Sequence, residues 1–152
     1  MTNITIIRTN SQDLHFVNLV DLLNKELAIR DGDDHAFYSQ FNQIDMIKYV
    51  CVAMENDIPI GCGAIKQFDD NAMEIKRMFT KEEHRGKGIA QAILTELEKW
   101  TLELGYNETV LETGNKQPEA IALYRKVGYN IIPNYGQYEG IENSKCFKKI
   151  LV

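Results

Sequence analysis

The sequence predicts a mixed α/β fold, a sheet covered by helices on both faces, and three observations carry that reading. Strand-like runs follow one another through residues 49–80, separated only by short turn signals. Apolar residues recur at helical spacing near residues 16–27 and again, more strongly, across 88–104. After residue 104, strand and helix patterns alternate, so helix crossovers belong to the second half of the chain. Strands that first succeed one another and are later joined through helices build a mixed sheet, with helices left to cover its two faces.

Residues 3–9 read as an opening strand. Asn10-Ser11-Gln12-Asp13 supplies capping chemistry, and Phe16, Leu19, Val20, Leu22, Leu23 and Leu27 then mark the apolar face of a helix. Asp31-Gly32-Asp33-Asp34 breaks that helix, and residues 35–42 are expected to form a short second one. Strands are expected at 49–54, 59–68 and 73–80, joined by Glu55-Asn56-Asp57 and Asp69-Asp70-Asn71. Ile89, Ile93, Leu94, Leu97, Trp100 and Leu104 give the long helix its buried face, and Gly105 ends it as a C-cap. Residues 109–113 form a strand, Pro118 opens a helix reaching residue 127, and 129–132 and 144–151 supply the last strands. No repeat, low-complexity segment or linker divides the chain, so residues 1–152 are expected to form one domain.

Composition narrows the function classes. The chain has 152 residues, 44% hydrophobic and 26% charged, which is ordinary for a globular protein. A net charge of -5 with no basic run argues against nucleic-acid binding. No apolar stretch approaches a membrane span, and Met1-Thr2-Asn3-Ile4 lacks a signal-peptide pattern, so a cytoplasmic location is expected. Cys51, Cys62 and Cys146 lie in apolar or strand-like runs and read as buried free thiols. With neither a CxxC nor a close Cys/His cluster, no metal site is expected.

The chemistry concentrates in Arg85-Gly86-Lys87-Gly88-Ile89-Ala90, between a strand and the long helix. Two glycines let backbone N–H groups approach a ligand closely, and the first turn of the helix carries donors without intrahelical partners at the positive end of its dipole. Such an entrance binds phosphate, and Arg85 and Lys87 add formal charge. A Walker A loop would need Gly-Lys followed by Ser or Thr, which is absent. A Rossmann fingerprint would need a third Gly or Ala where Gln91 stands, and an early βα turn. The remaining pattern is R-x-x-G-x-A, satisfied by Arg85, Gly88 and Ala90.

That motif resembles the pyrophosphate-binding loop of the GNAT N-acetyltransferase family, and the resemblance covers nearly the whole chain. A second family segment, N-x-x-A-x-x-L-Y-x-x-x-G-[FY], is matched from Ala120 through Leu123, Tyr124, Gly128 and Tyr129, with Gln117 in place of the usual Asn. The tail Pro133-Asn134-Tyr135-Gly136-Gln137-Tyr138, followed by Ser144-Lys145-Cys146-Phe147, looks like a bacterial subgroup. The resemblance implies a mostly antiparallel sheet of about six or seven strands, acetyl-CoA as cosubstrate, and acetyl transfer to a primary amine by direct attack on the thioester. It implies cofactor contacts from Met78, Phe79 and Thr80 on the strand, from Arg85, Gly86, Lys87, Gly88, Ile89 and Ala90 in the loop, and from the Gln117 amide. Related enzymes frequently form dimers, which leaves a homodimer open.

Acetyl transfer needs a neutral amine, donors for the developing oxyanion and a proton for the departing thiolate. Glu74 is the candidate base, standing about where the family often carries a catalytic Glu; the alternative is a surface pairing with Lys76 or Arg77. Carboxylates titrate near ~4.3, so base strength would require burial or a water relay. Ile75 and Met78 are three apart, so both turn inward only if the strand bulges around Lys76 or Arg77. Related enzymes carry such a bulge, with a free N–H aimed at the acetyl carbonyl; a strand buried on both faces would need none. Tyr124 matches the family's recurrent Tyr beside the cofactor sulfur and is the candidate acid, against the alternative of a ring packed in the core. His84 is expected at the mouth of the phosphate loop.

In the family, the acceptor cleft is often walled by the segment between the first two helices and the loop before the final strand. Here these carry Asp31, Asp33, Asp34, His35 and Tyr38 on one side, and Tyr135 and Tyr138 on the other. Acid groups beside aromatic faces suit a cationic amine, small molecule or peptide, while Asp31-Gly32-Asp33-Asp34 reads equally as a solvated turn. A silent acyl-CoA-binding or regulatory module is the alternative function.

Overall fold

The computed structural model describes residues 3–32 and 47–151, so the helix expected at 35–42 and the side chains of Asp33, Asp34, His35 and Tyr38 lie outside the described residues. Seven strands form one sheet in the order β1-β2-β3-β4-β5-β7-β6. They are β1 (Ile4–Thr9), β2 (Tyr49–Glu55), β3 (Ile58–Gln67), β4 (Ala72–Thr80), β5 (Glu108–Gly114), β6 (Asn130–Ile132) and β7 (Ser144–Ile150). Every neighbouring pair is antiparallel except β4–β5, which is parallel. Three α-helices are described: α1 (Leu14–Asp31), α2 (Ile89–Glu103) and α3 (Pro118–Lys126).

Strand alternation decides which helix covers which face. Val50, Val52, Cys62, Ala64 and Phe79 point one way and close over Phe16, Leu19, Val20 and Leu23 of α1. Cys51, Ala53, Ile65, Met73 and Ile75 point the other way and meet Ile89, Ile93, Leu94 and Leu97 of α2, with Tyr124 of α3 in the same cluster. Of the described helices, one therefore lies on one face and two on the other. Asp13 caps α1 by accepting from the His15 and Phe16 amides at 2.9 and 3.3 Å, the capping the sequence predicts. Leu22, expected on the buried face, is 42% exposed, because the stripe follows Leu19, Val20 and Leu23 instead.

Two local devices set the sheet. Asn56 and Asp57 both adopt positive φ, 50° and 69°, in the two-residue turn joining β2 to β3, a conformation these side chains tolerate. On β3, a Cβ at Gly63 would stand 2.5 Å from the Met78 sulfur and 2.9 Å from Cγ2 of Ile93, so glycine there lets α2 and Met78 press onto the strand. The α2 helix ends at Leu104 as its C-cap, with Gly105 one residue later at φ 94°, so the predicted terminator acts just past the cap. All three cysteines are buried free thiols, and burial pushes Cys51 and Cys62 up to about 12 and Cys146 up to about 11. No helix among the described residues is long and apolar enough to cross a membrane.

Candidate active site

The site begins where the parallel pair comes apart. β4 and β5 are in register only from Ala72 opposite Glu108 to Ile75 opposite Leu111; beyond those residues each strand continues without the other. Directly after the last paired residues, β4 bulges: Lys76 pairs with Ala64 and Phe79 with Cys62, so Arg77 and Met78 together oppose the single residue Gly63. Arg77 takes φ 60°, the left-handed region. The bulge turns Met78 back onto the α2 face beside Ile75, the reading the family resemblance favours over a strand buried on both faces, and the strand swings off β5. A cleft opens between the strands, floored by Ile75 and Leu111 and running past Leu23 and Leu27 of α1 on one side and Gln117 and Tyr124 on the other.

Glu74 reaches the cleft from the α1 face with only 12% of its side chain exposed. Its Oε2 accepts from the Tyr135 hydroxyl at 2.8 Å and its Oε1 stands 3.9 Å from Lys76 Nζ. The pairing with Lys76 weighed as the alternative is therefore present, but between two largely buried side chains rather than at the surface. Burial and the Glu74 charge together raise the Tyr135 phenol far above its usual range, so Tyr135 remains a donor.

Tyr124 is packed in the core and also lines the cleft. Its ring packs edge-on against Tyr129 at 5.8 Å and near Phe147 at 6.3 Å. Burial, with the Glu112 charge adding, raises its phenol well above the ordinary value. No hydrogen bond occupies its hydroxyl among the described residues. Gln117 sits at the entry to α3, lines the same cleft, and leaves its carboxamide without a side-chain partner among the described residues.

The glycine-containing loop follows β4 through a short 3₁₀ turn, Glu82–His84. Gly86 and Gly88 adopt φ 78° and 82°, and a Cβ at either would meet nothing within 4 Å, so both face open space. The first α2 bond runs from the Ala92 amide to the Gly88 carbonyl, and the amides from Gly86 to Gln91 find no acceptor among the described residues. Lys87 is exposed beside them. Arg85 is arranged differently from the formal charge expected at the loop. Its Nε donates to the Thr80 carbonyl at 2.8 Å, its Nη2 to Glu26 at 2.9 Å, and its guanidinium lies over the Phe79 ring at 5.7 Å. Phe79, near the end of β4, and Ile89, at the start of α2, are core residues. His84 turns away from the loop, its Nδ1 lying 3.7 Å from Glu55.

This arrangement has close relatives. The model of the acetyltransferase (GNAT) family matches residues 16–129. The chain belongs to the GNAT acetyltransferase family. An Azospirillum brasilense protein named as an IAA acetyltransferase is 32% identical over 141 residues, covering 91% of this chain and 92% of that one. Among solved structures, a Klebsiella pneumoniae chain provisionally named an acyl-CoA N-acyltransferase superposes with a TM-score of 0.80 at 24% identity, over 100% of this chain and 99% of that one. A GNAT family acetyltransferase from Elizabethkingia anophelis with acetyl-CoA bound superposes with a TM-score of 0.70 at 20% identity, covering 98% and 99%. At those identities the two structures share the fold with this GNAT N-acetyltransferase.

The residues present fit acetyl-CoA. A run of unengaged amides at a helix N-terminus, with glycines where a Cβ would fill the open space, suits a pyrophosphate. The strand gap, lined by Met78 of the same strand, holds both Tyr124 and Glu74. Sequence reasoning brings Glu74, Met78, Gln117 and Tyr124 to this cleft but misses two of its walls. Glu112 on β5 lines it, and its charge helps raise both Tyr124 and Tyr138. Arg77, weighed only as a bulge position or surface partner, is 6% exposed and faces the cleft. A charged residue inside an apolar strand run was the available signal for each.

Proposed function

We propose that this GNAT enzyme acetylates a primary amine directly, with Glu74 and Tyr124 working from opposite faces of the sheet. The observation that carries the proposal is the gap between β4 and β5, which has Glu74 on the α1 face and Tyr124 on the α2–α3 face. A thioester held in the gap would therefore meet an amine from one side and release its sulfur to the other.

The backbone amides from Gly86 to Gln91 and the exposed Lys87 would hold the pyrophosphate, and the Gln117 amide would meet the adjoining arm. Backbone at Met78, Phe79 and Thr80 would flank it. When bound, acetyl-CoA supplies an activated acyl group on a thiol leaving group. The chain supplies position and protons. Glu74, with one oxygen oriented by Tyr135, takes the proton that the arriving ammonium must lose before its lone pair can attack. Tyr124 keeps its hydroxyl proton through the physiological range, because burial and Glu112 oppose ionisation, and presents it toward the cleft for the departing sulfur. Arg85 positions the loop: it ties the end of β4 to α1 through Thr80 and Glu26. Holding the reactants together supplies the remainder of the acceleration. The acetyl donor is an intracellular metabolite, which supports a cytoplasmic site of action.

The test is an amine panel with acetyl-CoA, following release of free thiol. Thiol release that depends on an amine, with the acetylated product seen by mass, supports the proposal. Coenzyme A binding without amine-dependent release across the panel would instead favour a silent binding module.

A further inference from the structure

We infer that the acceptor is a carboxylate-bearing amine of the amino-acid class, its carboxylate bound by Arg77 while its amine faces Glu74. The inference rests on the acceptor-side reading above and adds to it the substrate class.

Arg77 has a buried charge that the described residues leave largely uncompensated. The residue is 6% exposed and lines the cleft on the α1 face, held there by the bulge in a left-handed backbone conformation that non-glycine residues seldom adopt. Its Nη2 donates to Asn24 Oδ1 of α1 at 2.8 Å, a neutral partner. Its Nε is buried without any hydrogen-bond partner, and among the described residues the guanidinium forms no ion pair. The titratable groups that bear on it are Cys62 and Tyr138, and burial keeps both protonated at neutral pH. Burial pulls Arg77 itself down to about 10, so it remains a cation there.

Buried cations are ordinarily matched by an anion, because an unmatched one loses its hydration for nothing in return. Of the two carboxylates lining the cleft, Glu74 is engaged with Tyr135 and Lys76, and no ion pair joins Glu112 to Arg77 among the described residues. A planar guanidinium with an unoccupied Nε–H presents donors suited to a carboxylate. On the same wall, Leu23 and Leu27 flank Asn24 in sequence and line the cleft, offering apolar contact to a side chain. The cleft thus holds a carboxylate for the amine and a cation for an acid, which is the pattern of a zwitterion.

The experiment compares free amino acids with their own carboxamides as acceptors, measuring kcat/KM by thiol release. Charge-assisted hydrogen bonds are strong enough for a preference on the order of 10- to 100-fold. The parent should prefer the acids by at least about tenfold, expressed mainly in KM. Arg77→Gln should collapse the acid-to-amide ratio toward one. Asn24→Asp provides a second variant that keeps an oxygen facing Nη2; its new carboxylate competes for Arg77 and should cut the ratio several-fold. Equal rates on acids and amides in the parent, or a ratio untouched by both variants, overturns the assignment. Calorimetry on the coenzyme A complex separates this from failure of acetyl transfer. N-acetyl amino acids binding about tenfold more tightly than their carboxamides would support Arg77 even with no turnover, and equal binding would overturn it.

Discussion

The two sides of the cleft are made of different materials. At the N-terminus of α2, away from the Tyr124 and Gln117 side chains, the ligand would be met by backbone: amides from Gly86 to Gln91 without acceptors among the described residues, shaped by two glycines at positive φ. On the α1 side it would be met by side chains, Glu74, Lys76, Arg77 and Tyr135, which come from β4 and from a loop some sixty residues later. A backbone site is specified by local conformation and tolerates changes in side-chain charge. A side-chain site depends on each group separately, and each is tuned by burial. The first should therefore fail through glycine substitution and the second through loss of single polar atoms.

The largest expected effect is Gly88→Val. The φ of 82° is unfavourable for a β-branched residue, and with open space around it the loop can relax without disturbing the core. The fold should survive while several amides leave their positions. With charge-assisted hydrogen bonds worth about 1.5–3 kcal/mol each, loss of two or three weakens coenzyme A binding on the order of 10³-fold. Calorimetry on a variant with a parental circular dichroism spectrum checks it; parental affinity there would remove the loop from the site.

Glu74→Gln comes next and touches the other side. The amide oxygen can still accept from Tyr135, so coenzyme A affinity and folding should hold. Turnover should fall about 10²-fold at the acid end of the profile, where the amine arrives protonated, and the deficit should shrink as pH rises toward the amine's own pKa. A single-turnover pH series against the parent gives the answer, and a deficit that is flat with pH would point to a positioning rather than a base role.

These two variants also mark what was legible in the sequence. Gly86 and Gly88 announce their conformation in the letters themselves, because few other residues occupy that region of backbone. The spacing of Ile75 and Met78 left a bulge and a strand buried on both faces open, and the family resemblance favoured the bulge, although the register against Gly63 was not legible. The Tyr135–Glu74 contact joins residues that no local pattern links, since it depends on how the segment between β6 and β7 folds back over the sheet. Arg77 was seen as one of several charges on β4; only packing reveals that it is buried. The fate of Arg85 was hidden for the same reason, as its partner Glu26 lies on α1.

Tyr124→Phe should have a smaller effect than Glu74→Gln. The ring contacts with Tyr129 and Phe147 remain, and the lost hydroxyl has no partner in the described protein, so stability should be unchanged within about 0.5 kcal/mol. A phenol raised above its usual value is a weaker acid, which puts the loss of turnover below about 10²-fold, at the low end for general-acid assistance. The sign also fixes the parent's pH profile. A raised phenol keeps its proton as pH passes the ordinary value, so no fall in the chemical step should appear near pH ~10 from this group. A parental rate falling there and absent in Tyr124→Phe would mean that the hydroxyl ionises normally.

The smallest effect belongs to Arg85→Met, and it gives the sharpest contrast with Gly88→Val because both residues belong to one motif. If the loop binds through backbone, removing a charge that already faces Glu26 and the Thr80 carbonyl should change coenzyme A affinity by less than about threefold. The cost should appear in stability instead. The partly exposed Glu26 pair contributes little in water, while the hydrogen bond to Thr80 and the stacking on Phe79 together suggest a loss of about 0.5–1.5 kcal/mol. Urea titration and calorimetry on the same preparation separate the two quantities. A drop in affinity of tenfold or more at parental stability would show that the guanidinium leaves Glu26 for the ligand, and the division of the cleft into a backbone side and a side-chain side would no longer hold.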